Sequence, residues 1–186
     1  MKLVVLDRDG VINRDSSAYI KGPGEWEPLP GSLDAIARLT ARGFTVVVCT
    51  NQSGLARGLF DTADLARIHG RMDSAVRAAG GRLSGIYVCP HGPDDGCRCR
   101  KPESGLLEAV GRRLGVSLAG VPVIGDSARD LEAARRAGAR PILVLTGNGR
   151  RTLAAGNAAG IEHYTDLSAA VDQLIEEAGN VDSEAP

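Results

Sequence analysis

The chain has 186 residues, 43% of them apolar, with 22 basic against 23 acidic side chains and a formal net charge of −1. That length and apolar share suffice for one domain with a sizeable core. The near-zero charge excludes the broad basic field of a nucleic-acid or anionic-membrane binder and favours a small-molecule partner.

In chain order, Leu3 to Leu6 is an apolar run of four that meets Asp7, too short for a secretory core or a membrane span, so a cytoplasmic protein is expected. Similar runs at 45–49, 86–88, 121–124 and 142–145 are predicted strands, buried on both faces. Between them, apolar residues recur at helical spacing over 33–41, 65–79, 106–114 and 129–137, and Gly43, Gly80, Gly115 and Gly138 stand where these helices should stop. A last amphipathic helix is expected from Asp166 to about Ala178, leaving 179–186 as a flexible tail beyond a single domain of residues 1–178. Strand and helix in alternation imply an α/β fold: a mostly parallel central sheet covered on both faces. The segment "NRDSSAYIKGPGEWEPLPG" is long and irregular; Trp26 within it either covers the mouth of a site or packs locally. No amphipathic stripe is left over to demand a second copy, so a monomer is expected.

Open parallel sheets hold ligands outside the carboxyl ends of their strands. Strand one ends in Asp7-Arg8-Asp9, strand two in Thr50-Asn51-Gln52-Ser53, and strand four in Gly125-Asp126-Ser127 with Asp130 close behind. One Asp-x-Asp by itself reads more readily as an exposed loop pair. Three such strand ends delivering acids and hydroxyls to one rim point instead to a site, and converging carboxylates need a compensating cation. Mg²⁺, which takes hard oxygen ligands, fits that need.

"DRDGVIN", "TNQSGLARG", "CRKP" and "GDSARD", in this order, resemble the four motifs of the haloacid dehalogenase superfamily over roughly residues 3–146. Within it, "CPHGPDDGCRCRKP" with "TNQSGLARG" resembles the heptose 1,7-bisphosphate 7-phosphatases, relatives of the histidinol-phosphate phosphatases. Ser53 tilts the comparison towards heptose, because histidinol phosphatases tend to carry Asp there. The resemblance implies a Mg²⁺-dependent phosphatase of Rossmann-like fold, acting on a sugar bisphosphate in the making of nucleotide-activated heptose. It implies Asp7 as nucleophile and Asp9 as acid and base. Mg²⁺ would sit on the Asp7 and Asp126 side chains and the Asp9 carbonyl, with Asp130 in support. Thr50, Asn51 and Ser53 would hold phosphate, and Lys101 would neutralise charge. Many of these enzymes have Lys where this chain has Ser127; here the residue either leaves more of the charge balance to Lys101 or caps the following helix.

Cys89-x-His91 and Cys97-x-Cys99 each place two ligands on one side of an extended segment, with Gly92, Pro93 and Gly96 to turn the chain between. Four such ligands satisfy a closed, structural Zn²⁺ site. The alternative is a set of reduced thiols beside an incidental histidine. Because the clip ends next to Arg100 and Lys101, it would fix that basic pair at the strand rim. Asp94 and Asp95 read as solvated turn residues, and Cys49 stands apart in an apolar run. Arg57 and Arg100 are either ligands of a second phosphate or surface charges. Arg8, expected on the opposite strand face from its neighbouring acids, predicts a salt bridge or solvent contact, and His69 and His163 read as structural or exposed. No insertion is large enough for a cap domain, so specificity falls to residues 13–28, the 51–58 turn and the zinc loop. Two competing readings stand beside this one: a histidinol-phosphate phosphatase, and a zinc-clipped binding module without catalysis.

Overall fold

The computed structural model describes residues 1–183. Six strands form one all-parallel sheet: β1 (Lys2–Leu6), β2 (Phe44–Asn51), β3 (Gly85–Cys89), β4 (Pro122–Gly125), β5 (Arg140–Val144) and β6 (Glu162–Tyr164). Their order across the sheet is β3-β2-β1-β4-β5-β6. The chain winds outward from β1 to β3, then returns to β4 on the other side of β1. The β1–β4 junction is thus a switch point, where the loops leaving the strand ends diverge and open a crevice.

The strands that flank this junction are built for burial on both faces. Val4 and Leu6 of β1 pack with Val46, Val48 and Ile124 into one core. Helices α1 (Ser32–Ala41) and α2 (Thr62–Ala78) cover that core through Ile36, Leu39, Ile68 and Met72, and α6 (Leu167–Ser183) adds Val171 and Leu174. The alternate residues Leu3 and Val5 join Val47 and Val123 in a second core, closed by Leu107 and Val110 of α3 (Gly105–Leu114) and by Ala133 and Ala134 of α4 (Ala128–Arg136). The period-two alternation of each strand therefore makes the three-layer sandwich that the sequence implies. A short helix α5 (Gly149–Ala154) follows β5.

Every predicted strand and helix is present; β6 and α5 are additions. The last helix runs through Ser183, five residues beyond its expected end, so 179–183 are helical, while the remainder of the expected tail, 184–186, lies outside the described residues. The irregular segment after β1 is anchored from beneath: Val11, Ile12, Ile20 and Trp26 are all buried in the first core. Trp26 therefore packs into the core and does not cover a site. The β1–α1 and β2–α2 connections span 7–31 and 52–61, and neither forms a separate cap domain. No helix among the described residues is long and apolar enough to cross a membrane.

Candidate active site

At the carboxyl ends of β1, β2 and β4 lies a cavity of about 360 Å³, a volume in the range of small-ligand pockets. Asp7, Asp126, Asp130 and Lys101 lie at its acidic centre, Thr50, Asn51 and Ser53 form the wall from β2, and Arg57, Arg100 and Arg129 stand at its edge. Each site residue predicted outside the cysteine loop thus faces one space.

Its centre is Lys101, an ammonium only 4% exposed. Nζ donates to Asp7 Oδ1 at 2.8 Å and to the Cys49 carbonyl at 2.9 Å, and lies 2.5 Å from Asp130 Oδ1. Burial works against its charge, but Asp130 and Asp7 outweigh burial and hold the ammonium above the ordinary lysine value. The main chain at Lys101 is fixed as well: Asn51 Nδ2 donates to its carbonyl at 3.0 Å, and its N–H donates to Asn51 Oδ1 at 3.1 Å.

The three acids are not equivalent. Burial acts against the Asp130 charge, yet Lys101 and Ser127 outweigh it and hold that carboxyl below the usual range. Ser127 donates to Asp130 Oδ2 from its N–H at 3.0 Å and from its hydroxyl at 2.5 Å, so it braces the support acid at the start of α4 and brings no positive charge. Burial raises the Asp7 carboxyl well above the carboxylate range; Lys101 opposes this, and the charges of Asp130, Asp126 and Asp9 add to it. Asp126 is pushed up to about 7 by burial and by Asp130, against hydrogen bonds from Asn148. Oxygens of Asp7, Asp126 and Asp130 all lie within 4.8 Å of one another.

This donor set fits a hard divalent cation. Three carboxylates converge beside a single ammonium, and burial and the neighbouring acids hold two of them above their normal range. The backbone is shaped for close approach: at Gly10, with φ of 81°, a Cβ would collide with the Asp126 carboxylate. Asp9 lines the same cavity but is not one of these three converging acids; its carboxylate is held by other partners. Arg8 grips it through Nε and Nη2 at 2.9–3.1 Å, and Asn13 Nδ2 and Gln52 Nε2 each donate to it at 2.9 Å.

Arg8 makes a salt bridge, as one of its two expected readings had it, but with its neighbour Asp9 and not from the opposite strand face. β1 ends at Leu6, so strand alternation no longer governs residue 8, and the Arg8 side chain folds back onto Asp9. Arg8 Nη1 also lies 3.2 Å from Nε2 of His69, a histidine with a defined partner on α2. Asn148 escaped sequence reasoning altogether. Its N–H and Nδ2 donate to Asp126 Oδ2 at 2.7 and 3.2 Å, and Nδ2 also reaches Asp15 Oδ2 at 3.0 Å. It sits in "TGNG", which reads as a bare turn; the only available signal was its position after a strand at the functional rim.

The second cluster lies beside the first. Cys89, His91, Cys97 and Cys99 bring three Sγ atoms and one Nδ1 within 4.8 Å of one another, with separations of 3.2 to 3.7 Å for every pair but His91 and Cys97. Such spacings suit the edges of a tetrahedron about an ion with bonds of about 2.0–2.3 Å. None of the four cysteines is in a disulfide. Burial pushes the Cys89 thiol up to about 12, so a thiolate there requires a cation. Asp95 is a turn brace, accepting from the Gly92 N–H at 2.7 Å, and Arg100 Nη1 donates to the His91 carbonyl at 3.2 Å, which ties the guanidinium back to the loop.

An acid-lined crevice at the switch point of a doubly wound sheet is the arrangement of the HAD-like hydrolases, and a family model described as HAD-hydrolase-like matches residues 98–170. The D-glycero-beta-D-manno-heptose-1,7-bisphosphate 7-phosphatase of Bordetella bronchiseptica is 59% identical over 179 residues, covering 96% of this chain and all of the relative. The enzyme of that name from Pseudomonas aeruginosa is 51% identical over 94% of this chain and 98% of its own length. A crystal structure of the B. bronchiseptica phosphatase, complexed with magnesium and phosphate, superimposes with a TM-score of 0.93 at 58% identity, covering 95% of this chain and 99% of that one. The chain belongs to the family of D-glycero-D-manno-heptose 1,7-bisphosphate 7-phosphatases within the haloacid dehalogenase superfamily.

Proposed function

We propose that this protein removes the 7-phosphate of D-glycero-beta-D-manno-heptose 1,7-bisphosphate, a step towards nucleotide-activated heptose, as a single domain over residues 1–178 and as a monomer. The observation that carries the reading is the buried Lys101 ammonium joined to both Asp7 and Asp130 beside Asp126. The relatives' names supply the substrate and its β anomer.

Asp7 attacks phosphorus through a carboxylate oxygen and forms an aspartyl-phosphate while the sugar oxygen departs. Asp9 protonates that oxygen, then takes a proton from the water that cleaves the aspartyl-phosphate. Lys101 offsets charge that builds between nucleophile and phosphate, and Thr50, Asn51 and Ser53 orient the phosphoryl oxygens. Mg²⁺, held by Asp7, Asp126 and the Asp9 carbonyl with Asp130 in support, supplies Lewis-acid charge when bound. Arg57 and Arg100 bind the 1-phosphate, to which guanidinium forks are suited. Zn²⁺ on Cys89, His91, Cys97 and Cys99 is structural, since four protein ligands leave no open position. Four unpaired cysteines support a reducing, cytoplasmic setting.

The test pairs two assays. With the heptose bisphosphate and histidinol phosphate side by side, kcat/KM should favour the heptose; the reverse preference overturns the substrate. Asp7→Asn should abolish phosphate release while the fold persists, and undiminished release would remove Asp7 from the reaction.

A further inference from the structure

Among the largest fully buried side chains of the described residues, Arg8 is the one that carries a charge; the others are aliphatic residues and a methionine. Burying a guanidinium at 1% exposure is costly unless its donors are matched. Here they are spent on two partners. Nε and Nη2 make three contacts of 2.9–3.1 Å with the Asp9 carboxylate, and Nη1 lies 3.2 Å from Nε2 of His69. Arginine stays protonated, so that ring nitrogen must accept. In keeping with a neutral ring, burial and then Arg8 bring the His69 imidazole down to about 4.

Asn13 and Gln52 donate to the same carboxylate from other directions. Gln52 is in turn joined to Thr50 Oγ1 at 2.9 Å, so the Asp9 cradle and the phosphate wall share a member. Residue 9 is thus gripped from its own loop, from the β2 end and, through Arg8, from α2.

We propose that Arg8 and His69 are positioning residues for the leaving-group acid, with the imidazole orienting the guanidinium and the guanidinium orienting the Asp9 carboxyl. The inference rests on Asp9 being that acid. As the bond between phosphorus and the sugar oxygen breaks and the bond to Asp7 forms, the Asp9 proton passes to the sugar oxygen. The carboxylate left behind already faces Arg8, and in the second step it regains a proton from the attacking water. A misaimed acid penalises substrates in proportion to their need for that proton. A sugar alkoxide needs it; a nitrophenolate leaves as a stable anion without it.

The experiment compares His69→Leu, His69→Gln, Arg8→Lys and Asp9→Asn with the parent enzyme, on the heptose bisphosphate and on 4-nitrophenyl phosphate, with Mg²⁺ saturating and the thermal midpoint of each variant recorded. In single-turnover release of the leaving group, which reads the first step alone, His69→Leu and Arg8→Lys should each slow the bisphosphate about tenfold or more and the nitrophenyl ester by less than about twofold; the later hydrolysis of the aspartyl-phosphate uses Asp9 for both substrates alike. His69→Gln, whose side-chain carbonyl can accept from Arg8, should recover most of the loss. Equal slowing of that first step on both substrates would mark a general structural role and overturn the proposal, as would an unchanged first step on the bisphosphate. If Asp9→Asn itself slows leaving-group release equally for both substrates, the acid assignment fails and takes the clamp with it. A parent enzyme inactive on both esters would instead sink the phosphatase reading.

Discussion

Burial, with the Asp130 charge, disfavours the ionised form of Asp126 and pushes its carboxyl up to about 7 from the ordinary 3.8. Between about pH 4 and 7 the native state therefore holds a proton that the unfolded chain has released. By linkage, this group's contribution to stability falls as pH rises through that window, by up to about 1.4 kcal/mol per pH unit, and levels off above it. A divalent cation replaces the proton as the compensating charge. Added Mg²⁺ should then raise the melting temperature more at pH 8 than at pH 5, where it must displace the proton first. For a chain of this length each 1 kcal/mol moves the midpoint by about 2–4 °C, so thermal scans with and without Mg²⁺ resolve the difference. An equal rise at both pH values would mean that Asp126 is not at the cation. Asp7 and Asp126 were legible because each stands within a residue or two of a predicted strand end, and Asp9 and Asp130 because they follow in the same short motifs. Arg8, His69 and Asn148 were not, because each acts on a partner set by the fold: His69 reaches residue 8 across 61 positions, and Asn148 reaches Asp126 across 22.

The cysteine loop is the element that delivers Lys101 to the site. Cys99 is a clip ligand two residues before Lys101, and Arg100 between them is tied to the His91 carbonyl. Opening the clip frees this end of the segment. Lys101 keeps its other restraints, the paired Asn51 contacts and the bond to the Cys49 carbonyl, so it should be misplaced rather than released. Chelating the metal, or replacing Cys97 by Ala, should lower kcat by about ten- to a hundredfold through that misplacement and lower the melting temperature as well. Full turnover in a folded, zinc-free preparation would separate the clip from catalysis. The gathering of Cys89, His91, Cys97 and Cys99 was readable from their spacing, whereas other elements left no such trace. β6 is the three residues Glu162–Tyr164, too short for an alternation to register, and α5 is six residues opened by Gly149 with no periodic face. The segment after β1 was legible as irregular, but not as a span pinned to the core by Val11, Ile12, Ile20 and Trp26, since its apolar residues follow neither a helical nor a strand period.

Across the whole molecule, the charge is nearly balanced, yet the site must attract a substrate with two phosphates. Attraction cannot come from a global field when the net charge is −1. At the centre of the cavity three acids surround one lysine, so the local positive potential must come from the bound cation and from Arg57, Arg100 and Arg129 at the edge. Such a field is short in range, because salt screens exposed charges beyond about 8–10 Å at physiological ionic strength. Two consequences follow for kinetics at saturating Mg²⁺. kcat/KM for the bisphosphate should fall only a fewfold between 20 and 200 mM salt, as screening of about three edge charges allows. Replacing Arg57 and Arg100 together by Gln should raise KM for the bisphosphate about tenfold or more and flatten that salt dependence. kcat for a heptose carrying only the 7-phosphate should be left nearly unchanged if, as proposed, the second phosphate is the group those residues meet. If both sugars lost equally, the arginines would belong to the phosphate being cleaved, and recognition of the distal phosphate would have to pass to Arg129 and to Ser16, Ser17 and Tyr19, which also line the cavity.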